Sequence, residues 1–183
     1  MKKISVLLLL AFLFAKVAHS QEDIRNKLNI DPNTHLITYQ EVVDEPGSKE
    51  KLFNRCVEWL NFFYKNPVGV TKERDLNNGV IRGHFHFPVN DTDTDGNNKL
   101  AGQMYYDFRI EFKPDRFRYT LDNFVLKTTT ETPAEKWMNK EDPDYNPKWD
   151  NYLAQIDDFV RNEWVKSLKQ KMKPIKKVED ESW

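Results

Sequence analysis

Residues 104–127 read MYYDFRIEFKPDRFRYTLDNFVLK, and the architecture follows from how polar and apolar side chains alternate along them. Over the first ten positions Met104, Tyr106, Phe108, Ile110 and Phe112 fall on one side; Tyr105, Asp107, Arg109, Glu111 and Lys113 fall on the other. Successive side chains of a strand project to opposite faces, so this pattern predicts a strand with one buried and one wet side. Pro114-Asp115 follows, proline being pre-set for the first corner of a tight turn. Residues 116–127 resume the alternation, with Phe117, Tyr119 and Leu121 on the apolar side. The result is an antiparallel hairpin whose apolar face needs a cover.

Working outward, residues 80–89 (VIRGHFHFPV) also alternate and are preceded by Asn77-Asn78-Gly79, a hairpin turn signal. Residues 67–76 give a weaker strand pattern, and residues 35–43 (HLITYQEVV) a first strand that Pro46 and Gly47 end. The cover comes from two amphipathic segments. Residues 49–65 carry Leu52, Cys56, Trp59, Leu60 and Phe63 at helical spacing, widened by Phe53, Val57 and Tyr64, with Ser48 placed to cap and Glu50 in the first turn. Residues 151–172 carry Leu153, Ile156, Val160, Trp164 and Leu168, and Pro174 closes that helix. Between the hairpin and this helix, residues 128–150 have no period yet contain Trp137, Tyr145 and Trp149, which predicts an irregular strap packed on the domain. Residues 21–34 read as a polar lead-in and residues 173–183 as a charged tail. Residues 35–172 are thus expected to form a single α+β domain of order β-α-β-β-β-β-α: a curved antiparallel sheet with both helices on one face.

The first twenty residues read as a cleavable signal peptide. Lys2 and Lys3 precede an uncharged apolar run over residues 4–15, and Ala18-His19-Ser20 offers small residues where a signal peptidase cuts. That run is too short for a membrane span, and Gln21 stands where a lipoprotein would need cysteine. The expectation is a periplasmic or extracellular protein of 163 residues, with no stable membrane insertion after cleavage. The chain holds 28 Lys and Arg against 29 Asp and Glu; the signal takes three lysines and no acid, leaving a net charge of −4. That balance argues against nucleic acid as a partner. Cys56, the single cysteine, cannot form an internal disulfide and is expected to be a buried thiol.

Three stretches together resemble a known family: SKEKLFNRCVEWL (residues 48–60), GVIRGHFHF (residues 79–87) and YDFRIEFKPDRFRYTLDNF (residues 106–124). They are similar to the exported bacterial domain of unknown function with a TATA-box-binding-protein-like fold, over residues 37–127. The resemblance implies that fold and an envelope location. It implies no activity, and the nucleic-acid role of the fold's namesake does not transfer, because fold is not function. The acidic loop at Asp91 and the strap after Lys127 depart from the family pattern.

Two motifs could carry chemistry. Asp91, Asp93, Asp95 and Gly96 open like a calcium loop, in which alternate carboxylates converge on a hard cation. The closing bidentate glutamate is missing, Gly102 standing in its place, and a solvated inter-strand loop explains the same residues. His84 and His86 project from one face of a strand roughly 7 Å apart, a spacing that serves zinc when a third ligand, here Asp107 or Glu111, is at hand. Histidines also suit the wet side of a half-buried strand. The outward face as a whole gathers Arg82, His84, His86, Tyr105, Asp107, Arg109, Glu111, Arg116 and Arg118, joined by Thr120 and Asp122. Its arginine and aromatic content fits a surface for a peptide, a glycan or another envelope protein; cross-strand charge pairing accounts for the same composition. No G-x-S-x-G elbow and no cysteine with a credible base is present. The sequence therefore reads as an exported, non-catalytic binding or interaction domain of the bacterial cell envelope that needs no cofactor, calcium at Asp91–Asp95 being the one candidate ion. The alternative is a metal-dependent hydrolase built on His84, His86 and Asp107.

Overall fold

The computed structural model describes residues 22–92 and 96–174. The expected signal peptide, Asp93, Asp95 and the tail beyond Pro174 lie outside them. Strand β1 (Tyr39–Asp44) leads into helix α1 (Lys49–Phe63) and a one-turn helix α2 (Pro67–Val70). Strands β2 (Thr71–Asp75), β3 (Val80–Thr92), β4 (Asn98–Lys113) and β5 (Arg116–Lys127) form the meander, followed by the short β6 (Glu131–Pro133). The strand order is β1-β5-β4-β3-β2, antiparallel throughout, with β6 paired to the far end of β5.

The alternation of the central hairpin is realised directly. Met104, Tyr106, Phe108, Ile110 and Phe112 of β4 are buried, as are Phe117, Tyr119 and Leu121 of β5. Helix α1 starts at a capping Ser48, whose side chain accepts from the Lys51 amide, and lays Leu52, Cys56, Trp59 and Leu60 on the sheet. The C-terminal helix begins at Lys148, three residues earlier than the sequence pattern suggests. It runs through α3 (Lys148–Asp158), a π-helical stretch (Phe159–Val165) and α4 (Lys166–Met172). Trp59 of α1 meets Trp164 edge-on at 4.9 Å, and both reach the same sheet face. Beneath them Trp164 Nε1 donates to the Tyr64 hydroxyl at 2.8 Å, which lies 3.1 Å from that of Tyr106. Gly83 is required here: a Cβ on it would lie 2.2 Å from the Phe108 ring that crosses β3.

Several boundaries differ from the sequence reading. Residues 67–70 form a helical turn because Asn66 caps it, accepting from the Gly69 amide, and Pro67 occupies its first position. Strand β1 starts only at Tyr39, since His35 takes φ 59° in the preceding turn. Strands β3 and β4 extend beyond residues 89 and 104, pairing as far as Thr92 with Asn98. The strap is not structureless: it holds β6 and a 3₁₀ turn (Ala134–Met138) that buries Trp137. It is fastened to the lead-in by Arg25, whose guanidinium donates to the Trp137 carbonyl and pairs with Asp150 at 2.8 Å.

Candidate functional site

The face of the sheet opposite the helices is an ordered lattice of polar side chains, and strand register decides who meets whom. Arg82, Arg109 and Thr120 share one row across β3, β4 and β5, and Glu111 and Arg118 face each other in the next. Arg82 reaches outward to Glu73 on the edge strand at 3.2 Å. Glu111 accepts from Arg109 at 2.8 Å and from the Arg118 Nε at 2.8 Å. Partial burial pushes the Glu111 carboxyl up, but the Arg118 hydrogen bonds and the charges of both arginines win and hold it below the usual glutamate value. Arg109 is also the one described residue with a buried polar side-chain atom, Nε, that finds no acceptor.

On the other side of the Arg109 row, His84 faces Asp107 and Asp107 faces Asp122. The His84 Nδ1 lies 2.6 Å from Asp107 Oδ1, while the other Asp107 oxygen accepts from the Asn123 side chain at 2.7 Å. Burial first, then the neighbouring charge of Asp107, raises the Asp122 carboxyl above its usual value. Tyr105 forms the centre of an aromatic cluster, with His86 at 4.8 Å and His84 at 5.4 Å, and the Lys127 ammonium lies 4.6 Å from its ring centroid. At the opposite end of the face, Val42, Glu111, Lys113, Arg116, Phe117 and Arg118 line a depression of about 270 Å³.

The outward residues read from the sequence share one face by register, and both candidates for a third zinc ligand have other partners there. Asp107 sits on the Nδ1 side of His84 as an orienting carboxylate, and Glu111 is occupied by two arginines. Asp91 is engaged away from its loop: Lys148 and Tyr152 of the C-terminal helix reach its two oxygens, each at 2.7 Å. Burial works against its ionised form, but those hydrogen bonds prevail and lower its pKa. Asp93 and Asp95 lie outside the described residues. Among the described residues no group of three or more His, Cys, Asp or Glu is placed to hold a metal ion.

Lys127 and Asn123 were not legible as face residues, because simple alternation puts both on the buried side. The pairing slips between Tyr105 and Asp107, where Asn123 takes φ 55° as the extra residue of a bulge. Phe124 and Leu126 then turn inward and Lys127 outward. The available signal was Asp122-Asn123 in mid-strand, asparagine being one of the few residues that tolerates the left-handed region.

Among solved structures, the chain is similar to a DUF4468 family protein from Bacteroides ovatus, with TM-score 0.64, 12% identity, and coverage of 80% of this chain and 91% of that one. It is similar also to a TBP-like protein from Parabacteroides distasonis, with TM-score 0.62, 16% identity, and coverage of 78% and 96%. At such identity the likeness concerns the fold alone. A comparison with curated proteins finds no match. Residues 39–127 match the family model described as a domain of unknown function, DUF4468, with TBP-like fold. That segment contains β1, α1 and the whole of the β2–β5 meander, so both the open face and the register that orders it lie inside the matched unit. Over residues 39–127 the chain is thus similar to the DUF4468 family of domains, and its fold is TBP-like.

Proposed function

We propose that this protein is an exported, non-catalytic binding module of the cell envelope, and that it presents the open sheet face to a peptide, a glycan or another envelope protein. One observation carries the reading. The uncovered face holds three paired arginines (Arg82, Arg109 and Arg118), two histidines and Tyr105 in a hydrogen-bonded, stacked arrangement, while the reverse face is core. Such pre-organised arginine and aromatic side chains lose little conformational freedom when a partner covers them. The hydrolase alternative has no comparable observation in its favour: among the described residues no group of three or more His, Cys, Asp or Glu is placed to hold a metal ion.

The test is a crosslinked pull-down from intact cells, comparing the native protein with the double variant Tyr105→Ala/Arg109→Ala. Partners retained equally by both, with both folded by circular dichroism, would overturn the binding-face reading. Export rests on the N-terminal pattern of Lys2, Lys3, residues 4–15 and Ala18-His19-Ser20. Mass spectrometry should find the mature chain beginning at Gln21; a protein recovered with Met1–Ser20 attached would remove the signal-peptide reading.

A further inference from the structure

The depression at the β1–β5–β4 end of the open face has a predominantly cationic lining. Lys113, Arg116 and Arg118 line it together with one carboxylate, Glu111, in a chain whose formal net charge is −1. Glu111 is shared by Arg109 and Arg118. Lys113 and Arg116 face each other across the strands, and among the described residues neither makes an ion pair. Asp44 is the register neighbour of Arg116 on β1, yet no ion pair joins them. Like charges directly opposite each other in a sheet cost stability, and an incoming anion relieves that cost.

The lining has a second component. Val42 lies on the edge strand with 55% of its surface exposed, and it borders the depression beside the Phe117 segment. An apolar border with two unpaired cations fits an acid carried on a short aliphatic stem, as in glutamate or aspartate. The neighbouring Arg118–Glu111 pair, with Nε and Nη2 both on one oxygen, shows the lattice already seating a carboxylate of that kind. Val42 belongs to β1, an edge strand of the sheet, whose unpaired side leaves an extended chain room to lie alongside. We propose that this depression is an oxyanion subsite for an acidic, extended polypeptide segment of a partner, held by Lys113 and Arg116 with Val42 against its stem. This rests on the binding-face reading and names the chemistry recognised at one end of that face.

The probe is a fluorescein-labelled octapeptide of alternating Glu and Ser, with a Gln-for-Glu peptide as control, titrated against the full chain by fluorescence anisotropy. The acidic peptide should bind, the Gln peptide should not, and Lys113→Gln/Arg116→Gln should weaken binding at least tenfold. Arg82→Gln, whose side chain is already paired to Glu73, should change it less than twofold. Equal loss in the Arg82 variant would mean diffuse attraction and overturn the subsite. Chemical-shift mapping on the unmodified protein separates this proposal from the broader reading. Shifts centred on Val42, Lys113 and Arg116 support the subsite. Shifts confined to His84, His86 and Tyr105 overturn it while leaving the binding face intact, and none on either end overturns the subsite and leaves the binding face to the pull-down. A sulfated hexasaccharide that displaces the peptide at lower concentration overturns the polypeptide assignment. Binding that emerges only when the chain's own Glu179, Asp180 and Glu181 are changed to Gln, Asn and Gln assigns the depression to the acidic C-terminal segment and overturns the partner.

Discussion

Ile110 and Arg109 are adjacent in sequence and on opposite sides of the sheet, so substituting each by alanine tests the register with the smallest possible displacement along the chain. Ile110 is 0% exposed and is flanked in register by Ile81 and Tyr119. Ile110→Ala removes three buried carbons, worth about 0.8 kcal/mol each in transfer free energy. The cavity left behind, under helices that cannot follow it inward, raises the total to about 3–4 kcal/mol. For a domain of this size the melting temperature should fall by roughly 6–16 °C. Arg109→Ala gives up an ion pair with Glu111 whose side chains are 41% and 23% exposed; in that setting it is worth under about 1 kcal/mol. It also removes the buried Nε that has no acceptor, a relief of about 1 kcal/mol. The two effects nearly cancel, so Arg109→Ala should stay close to the native stability. Urea unfolding followed by tryptophan fluorescence reads both, since Trp59 and Trp164 lie in the core. An Arg109→Ala protein that loses several kcal/mol while Ile110→Ala loses none would refute the register and with it the open face.

Tyr64→Phe should cost more than Tyr106→Phe in the same assay, because Tyr64 is the hydroxyl bonded to both Trp164 and Tyr106, and each orphaned buried polar group costs about 1–3 kcal/mol; equal losses would refute the shared network. Asp122→Asn should stabilise the protein at neutral pH. The folded state raises this carboxyl above its unfolded value of 3.8, so native protein binds the extra proton and stability falls as pH climbs from 3.8 through the folded pKa. The gain from Asn should therefore vanish below about pH 4, and thermal melts between pH 3 and 8 read it; a variant destabilised at pH 7 would contradict the assigned cause. Asn123→Val should destabilise by about 1–2 kcal/mol from left-handed strain alone, whereas Asn123→Gly keeps the bulge and should lose only the bond to Asp107; amide exchange along β5 would report whether the bulge survives.

The sequence by itself determined which side of each main element is buried. The two-residue period of residues 104–113 and the helical spacing of Leu52, Cys56, Trp59 and Leu60 are local signals, because burial is imposed on a strand or helix one side chain at a time. From these the α+β class and the composition of the open face follow. Tertiary structure alone decided which strands are neighbours: β1 lies against β5, 72 to 82 residues away along the chain, and no local period encodes that. It also decided the slip at Asn123 that turns Lys127 onto the face, and the pairing of Asp107 with His84. Asp91, read as a loop carboxylate, is instead drawn to Lys148 and Tyr152 of the last helix, 57 and 61 residues further along the chain. Side-chain partners across a sheet are fixed by register, and register is fixed by turns, bulges and the packing of the whole core; a period along one strand states the side on which a residue lies and not the residue it will meet.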